Sequence, residues 1–448
     1  MNLYDVIIVG AGPAGLMAAK TAAENGLKVA LIDRKSNIAE IRRCCATMFA
    51  VESDYYFGER MYFCEKTKRL VFPVNGFSVN YTGPYKNFYC WHLYTSDAKH
   101  YIRLGNYEDK IKLGTKGRLS VTYSKKHLLE GLLREAEDKG AEIFAGVNIT
   151  SLQKKNGTIV VEGDGKLFEG LFVIAADGIN SRLVQILGLN KERIFYGTMK
   201  GISYYLSGLN LPHPYALVLT MLYHRTTKLP IAYWLEPSPF EECEYWLYVG
   251  GVSHPEIDYN EEIEYFINES PFSRWFVSPK VRLKMAHVAN IWSPVKEPYK
   301  DNVLIVGDAG WTVEAECTGS MMCGWKAAHT ISLAIRDGKI SREGIEPYIQ
   351  WWLKSFPGSQ DYREFLEIIR SSLIGEGNLN YLYSLVTETL PYTLNPFNLI
   401  KYVNMAISKK LSYISKERPE VVQKIQQMGQ ISFEKAFDPM IRVGFPNL

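Results

Sequence analysis

The stretch Val6-Ile-Ile-Val-Gly-Ala-Gly-Pro-Ala-Gly15 decides the fold. Tyr4 to Val9 is a short apolar, β-branched run, which reads as a buried strand. Gly10 allows a tight turn, Gly12 lets the backbone approach a pyrophosphate, and Gly15 lets the next helix pack close to the sheet. That helix is expected from about Pro13 to Asn25, with Ala14 and later alanines turned inward and Gly26 ending it. Its N-terminus offers free N–H groups and partial positive charge to phosphates, so Pro13 and Ala14 join the ligand turn. Val29 to Ile32 is the second strand, with Asp33 and Arg34 at its tip. A carboxylate there accepts hydrogen bonds from ribose hydroxyls and disfavours a 2′-phosphate.

Two later stretches fit the same ligand. Phe172-Val-Ile-Ala-Ala-Asp-Gly-Ile-Asn-Ser-Arg182 places Asp177 at a strand end and Ser181 and Arg182 at a helix start. Asp177 ties the turn through backbone hydrogen bonds, and Arg182 neutralises pyrophosphate charge. In Val303-Leu-Ile-Val-Gly-Asp-Ala-Gly310, Asp308 follows a buried strand and Gly307, a place suited to binding a ribityl hydroxyl. A helix beginning near Gly319 and running to Arg336 then aims its positive end at the flavin N1–C2=O edge, with Gly319, Ser320 and Met321 at the approach. In this order the three stretches read as one FAD site closed by distant segments.

Composition bounds the rest. A chain of 448 residues suits two or three domains, and 47% hydrophobic against 22% charged residues implies a folded core. A net charge of +3, with no long run of like charge, gives no argument for nucleic acid. Seven cysteines form no CxxC and no metal-finger spacing, so they read as reduced thiols of a cytoplasmic protein with no metal site. The chain enters a strand almost at once, leaving no room for a signal peptide, and no stretch of about 18 uncharged apolar residues suggests a transmembrane helix.

The expected fold is α/β: a Rossmann-like FAD-binding domain with an inserted antiparallel β-sheet substrate domain and a helical C-terminal region. The FAD-binding part takes residues 1–190 and 285–342, with an aromatic-rich excursion over 46–118. That excursion is either ordinary strand core or an aromatic wall over an apolar substrate. Within the nucleotide part, Lys125 to Lys139 has helical spacing, and Ile159 to Val161 and Leu167 to Ala175 alternate like strands. Residues 191–284 carry short Tyr-, Trp- and Leu-rich strands split by Pro and Gly, and 343–448 is the helical region. Leu390 to Met405, followed by Lys409 and Lys410, is either a helix packed on the domain or a membrane-facing amphipathic element.

The three motifs resemble those of glutathione-reductase-like flavoproteins with the aromatic-hydroxylase type of FAD domain. Within that group the sequence is similar to the geranylgeranyl reductase family, which saturates isoprenoid double bonds with reduced FAD. Arg43-Cys44 lies where that family often has Arg-Cys-Gly-Glu. Pro230-Ile-Ala-Tyr-Trp-Leu-Glu-Pro237 looks like its Pro-x-x-Tyr-x-Trp-x-Phe-Pro box, one residue short. Cys317-Thr-Gly-Ser-Met321 echoes its Leu-Thr-Gly-Glu-Gly. No second GxGxxG provides for a tightly bound nicotinamide. The sequence departs from the family at Cys45 and Ala46, which replace Gly and Glu, at Met321, which replaces a glycine, and at Glu316, which replaces a proline.

The resemblance implies a pocket lined by Tyr233, Trp234 and Cys317, with Arg43 at the cofactor. Cys44 and Cys45 are the candidate catalytic residues, as a proton donor opposite the hydride, as thiols that shape the pocket, or as thiols exchanging electrons with the flavin; an inert buried cysteine is the plain alternative. Glu314, Glu316, His92 and His100 are further candidate acids. The expected activity is reduction of a carbon–carbon double bond in an apolar substrate, with electrons from NAD(P)H or a ferredoxin-like donor protein. An aromatic-hydroxylase-like monooxygenase and an electron-transfer flavoprotein acting with a quinone are the other readings. The chain is expected to be cytoplasmic, with peripheral membrane contact still open, and its oligomeric state is not legible.

Overall fold

The computed structural model describes residues 3–49, 54–311, 316–356, 374–393 and 396–430. Its centre is a parallel sheet. The strand Leu3–Val9 lies between Val29–Asp33 and Lys166–Ala175, and Glu142–Ala145 and Val303–Ile305 extend the sheet on either side. Every residue from Val6 to Val9 and from Val29 to Asp33 is buried, as expected for parallel strands covered on both faces. The strands Ile149–Lys155 and Thr158–Gly163 add an antiparallel flank through the first half of Lys166–Ala175.

Two helices close one face of this sheet. The first, Pro13–Glu24, starts on Gly12 with no side-chain cap. The second, Glu316–Arg336, runs against it. They approach closely because a Cβ on Gly324 would lie 2.1 Å from the Ala14 carbonyl oxygen. Cys317, Met321, Gly324 and Ala328 share one stripe of the second helix at i, i+4, i+7 and i+11, and that stripe faces the core. The helix expected to begin near Gly319 therefore begins by Glu316, and Met321 is fully buried rather than set at a ligand.

The second sheet runs in the order Phe276–Trp292, Phe195–Leu209, Tyr245–Val252, Pro230–Pro237, Ala216–Tyr223, Cys90–Tyr94, Tyr101–Leu104 and Thr389–Leu390. It therefore extends past the interval 191–284. It recruits two strands of the aromatic excursion, one in parallel pairing with Ala216–Tyr223, and a short strand from the C-terminal region. Its rear face carries Tyr204, Ile231, Tyr233, Leu235 and Leu247 against the helix Tyr259–Asn268. Its front face carries Trp91, Trp234, Tyr205 and Trp246. The helix Pro396–Ser408 buries Leu399, Val403 and Ala406 in the cluster that contains Trp91, so the amphipathic C-terminal element packs on the domain. Among the described residues no helix is long and apolar enough to cross a membrane.

Candidate active site

A cleft of about 530 Å³ opens at the C-terminal ends of the parallel strands. Gly10, Gly12, Pro13, Asp33, Arg34, Arg43, Asp177 and Arg182 line it, with Lys35, Arg42 and Lys125 adding positive charge. The glycines divide the work. Gly10 has φ +103°, and a Cβ there would meet the Ala176 carbonyl oxygen at 2.3 Å. A Cβ on Gly15 would lie 1.8 Å from the Gly10 carbonyl oxygen, so Gly15 holds the helix against the turn. Gly12 has nothing within 4 Å of that position and opens onto the cleft. An uncapped helix end, an open glycine and convergent cations fit a pyrophosphate. Ala14 stands behind this lining, buried, with its carbonyl oxygen backing Gly324.

The carboxylates build the cradle. Asp33 accepts from the Ala11 N–H at 2.6 Å and the Lys35 N–H at 2.7 Å, joining the glycine turn to the second strand. Two backbone bonds leave lone pairs for ribose hydroxyls. Asp177 accepts from Ser181 Oγ at 2.5 Å, from the Arg182 N–H at 2.7 Å and from the Leu183 N–H at 3.1 Å, fixing the start of the short helix Arg182–Ile186. Gly307 enters a tight turn with φ +63°, and Asp308 on that turn stands 3.8 Å from Arg43 Nη2. Burial pushes the Asp308 carboxyl up, and Arg43 and Lys125 oppose that shift.

The segment Arg43 to Ala46 runs between the two sheets, and its side chains alternate. Arg43 and Cys45 face the nucleotide side. Cys45 Sγ accepts from Lys125 Nζ at 3.4 Å. Cys44 and Ala46 face the second sheet. Cys44 Sγ lies 3.0 Å from His287 Nδ1, and its N–H donates to the Ala286 carbonyl at 3.3 Å. Burial pushes the Cys44 thiol up to about 12, while burial and Arg43 lower His287, so both are neutral near pH 7. The two neighbouring cysteines thus occupy different environments and all seven cysteines are free thiols.

Behind Cys44 the front face of the second sheet forms an aromatic wall. Tyr248 stacks on His287 with centroids 5.6 Å apart, and Trp91 meets Trp234 at 4.9 Å. The indole N–H groups of Trp91 and Trp246 are buried there with no acceptor among the described residues. Glu236 is buried in this wall, held by Trp234 Nε1 at 2.8 Å, and burial pushes its carboxyl up to about 8. It is therefore a neutral acid near pH 7.

Several expected residues fall elsewhere. Tyr233 points to the rear face, stacks on Phe266 and donates to Glu262 at 2.8 Å, because side chains alternate along a strand and Trp234 takes the front. Cys317 is buried on the nucleotide side, beside Cys45 and Tyr123, not on the aromatic wall. Gly319 and Ser320 lie in the first turns of Glu316–Arg336, and Gly319 belongs to the first four residues whose N–H groups have no partner within the helix. His92 sits in an aromatic cluster with Tyr101 and His213, and burial lowers it to about 3. His100 is exposed. Glu314 and the side chain of Glu316 lie outside the described residues. Three further residues join the site without having been expected there: Lys125, His287 and Glu236. A glutamate between the apolar run Ile231–Leu235 and Pro237 was a legible signal, whereas nothing local marks His287.

Comparison with known proteins agrees with this geometry. Residues 5–53 match the FAD binding domain family. A digeranylgeranylglycerophospholipid reductase of Methanocaldococcus jannaschii is 24% identical over 423 residues, covering 92% of this chain and 97% of that protein. A second enzyme of that name, from Methanosphaera stadtmanae, is 26% identical over 361 residues, covering 77% and 82%. Among solved structures, a geranylgeranyl bacteriochlorophyll reductase-like protein of Thermoplasma acidophilum superposes with a TM-score of 0.69 at 17% identity, covering 96% of this chain and 100% of that one. That last likeness is one of fold. The cleft and these likenesses define an FAD-dependent oxidoreductase. Over most of its length the chain is similar to enzymes named digeranylgeranylglycerophospholipid reductase.

Proposed function

We propose that this enzyme reduces a carbon–carbon double bond in an apolar, isoprenoid-like chain, with Cys44 as the proton donor. The observation that carries this reading is the Cys44 thiol, neutral and paired to His287, set between the nucleotide cleft and the aromatic wall. FAD, when bound, supplies a hydride equivalent to one carbon of the double bond. Trp91, Trp234 and Trp246 offer flat apolar surface to the chain and exclude water. Cys44 delivers a proton from Sγ to the second carbon and is left as a thiolate; His287, within hydrogen-bond reach, relays the replacement, giving its Nδ1 proton to the sulfur as Nε2 takes one from solvent. Cys45 beside an ammonium is poorly placed to donate. Names of the relatives support a lipid-linked polyprenyl substrate, and the cationic cleft mouth suits docking of NAD(P)H or an acidic donor protein.

The test is anaerobic single turnover of the reduced holoenzyme with a geranylgeranylated glycerophospholipid in D2O. The expected product gains two hydrogens per saturated bond, with solvent deuterium at the carbon that Cys44 protonates. Cys44→Ala should slow its formation by about 100-fold or more, the usual scale for a lost general acid, without loss of FAD. An oxygenated product formed only in air would instead establish the hydroxylase reading. Normal turnover in Cys44→Ala would remove Cys44 from the role.

A further inference from the structure

The helix Pro396–Ser408 has two faces, and only one of them is packed. Leu399, Val403 and Ala406 are buried in the cluster that contains Trp91 and Leu93, with Trp234 against it. A step of two residues turns a helix by about 200°, so Lys401 and Met405 stand on the side opposite Val403. Both are exposed, Met405 by 53%. Lys409 and Lys410 make the corner to the next helix, Leu411–Glu417. The Lys410 N–H donates to the Ile407 carbonyl at 2.8 Å, and the Ile414 N–H donates to the Lys410 carbonyl at 2.9 Å, which fixes that corner. The second helix repeats the division. Ile414 is buried with Leu379, Leu382 and Val421, while Leu411 and Tyr413 are 40% and 52% exposed. The charge on this outer surface has one sign. From Pro391 to Lys416 there are four lysines and no aspartate or glutamate. Among the described residues no carboxylate forms an ion pair with Lys401, Lys409, Lys410 or Lys416. Glu417, the next acid along the chain, accepts from Tyr381 at 2.6 Å. Large apolar side chains held in water among uncompensated ammonium groups suit the boundary of a lipid bilayer. There the apolar groups enter the acyl edge and the lysines meet anionic headgroups.

We infer that the outer face of Pro396–Ser408 and Leu411–Glu417 docks on an anionic lipid bilayer. Met405, Leu411 and Tyr413 supply the apolar contact, and the four lysines supply the attraction. The same helix that meets the membrane with Met405 covers the aromatic wall with Val403. One helix diameter, about 10 Å, then separates the bilayer from Trp91 and Trp234. A polyprenyl chain leaving the bilayer has that short path to the wall. The choice of a bilayer over an acidic protein rests on the reading of a lipid-linked substrate; the sign and exposure of the surface do not.

The test uses the purified full chain with FAD and sedimentation with vesicles of phosphatidylcholine, either alone or with about 30% phosphatidylglycerol. The expected result is binding to the mixed vesicles at least about tenfold tighter than to the neutral ones, and largely lost in about 1 M salt. Each lysine near an anionic surface is worth about a fivefold change in partitioning, so Lys401→Gln, Lys409→Gln, Lys410→Gln and Lys416→Gln together should weaken binding at least about 100-fold, with the melting temperature unchanged. Met405→Ser with Leu411→Ser should weaken it by about tenfold and keep the salt dependence. The lysine variant should also lose turnover of substrate embedded in mixed vesicles while matching wild type on substrate dispersed in neutral detergent. Failure to sediment with the mixed vesicles, equal binding to both kinds, or wild-type binding by the lysine variant would overturn the proposal. Salt-sensitive capture of an acidic ferredoxin by the same lysines, with vesicles ignored, would overturn it in favour of a donor protein. Sedimentation needs neither substrate nor reductant, so its outcome is independent of double-bond reduction, which the deuterium experiment addresses separately.

Discussion

At the scale of single residues, the site is governed by which neutral form burial enforces. Glu236 shows this most directly. Its carboxyl is 1% exposed and pushed up to about 8 from an ordinary 4.5, with burial the leading cause and the Trp234 and Thr47 N–H groups opposing it. The native state therefore holds a proton that the unfolded chain releases near pH 4.5. The stabilisation from that proton is complete below about pH 4.5 and is lost as pH rises through about 8. Every tenfold difference in proton affinity between the folded and unfolded chain is worth about 1.4 kcal/mol, so the cost by pH 8 amounts to a few kcal/mol. Glu236→Gln keeps the shape and removes the ionisation. Urea unfolding at pH 5, 6.5 and 8 should show wild-type stability falling across this window and the variant's curve flatter by at least about 1 kcal/mol. Parallel curves would mean that Glu236 ionises at its ordinary pH in the folded protein.

At the scale of elements, the nucleotide cradle depends on two helices that touch through backbone. A Cβ on Gly324 would lie 2.1 Å from the Ala14 carbonyl oxygen, and neither helix backbone can yield as a flexible side chain would. Gly324→Val should therefore separate the pair, lowering stability by about 3 kcal/mol. Because Ala14 follows the open turn at Gly12, the same change should weaken retention of FAD, read from bound-flavin absorbance after gel filtration. Full retention with an unchanged melting temperature would show that the helices have room to slide. The sequence announced the first strand, turn, helix and second strand almost to the residue, because a glycine-rich turn between apolar runs is encoded locally. It misplaced the start of the second helix. Cys-Thr-Gly-Ser resembles a loop one residue at a time, and only the stripe Cys317, Met321, Gly324, Ala328 reveals a packed face. Asp177 was legible for the same local reason as Gly12. The contacts of Cys44 with His287 and of Cys45 with Lys125 were not, since they join residues 243 and 80 positions apart.

At the scale of the whole molecule, the second sheet is assembled from three regions of the chain, and its front face is completed by the C-terminal region. Thr389–Leu390 adds its last strand, and the helix Pro396–Ser408 lays Leu399, Val403 and Ala406 into the cluster containing Trp91 and Leu93. Alternation along a strand explains why composition alone could not assign this wall. Tyr233 and Trp234 are equally aromatic, and only the pairing register sends one to the rear helix and the other toward the site. Val403 is 5% exposed, so Val403→Asp puts a carboxylate among Trp91, Leu104 and Leu390 with no compensating cation in that cluster. An unpaired buried charge is relieved by detaching the helix, at a cost of about 2–4 kcal/mol. The expected signs are a lower urea midpoint and faster tryptic cleavage after Lys401, which is exposed on the same helix. Detachment also uncovers the aromatic wall to water, so turnover with a polyprenyl substrate should fall while FAD, bound in the cleft beyond the first sheet, stays in place. A variant with wild-type midpoint and cleavage rate would show that the helix rests on the wall without closing it.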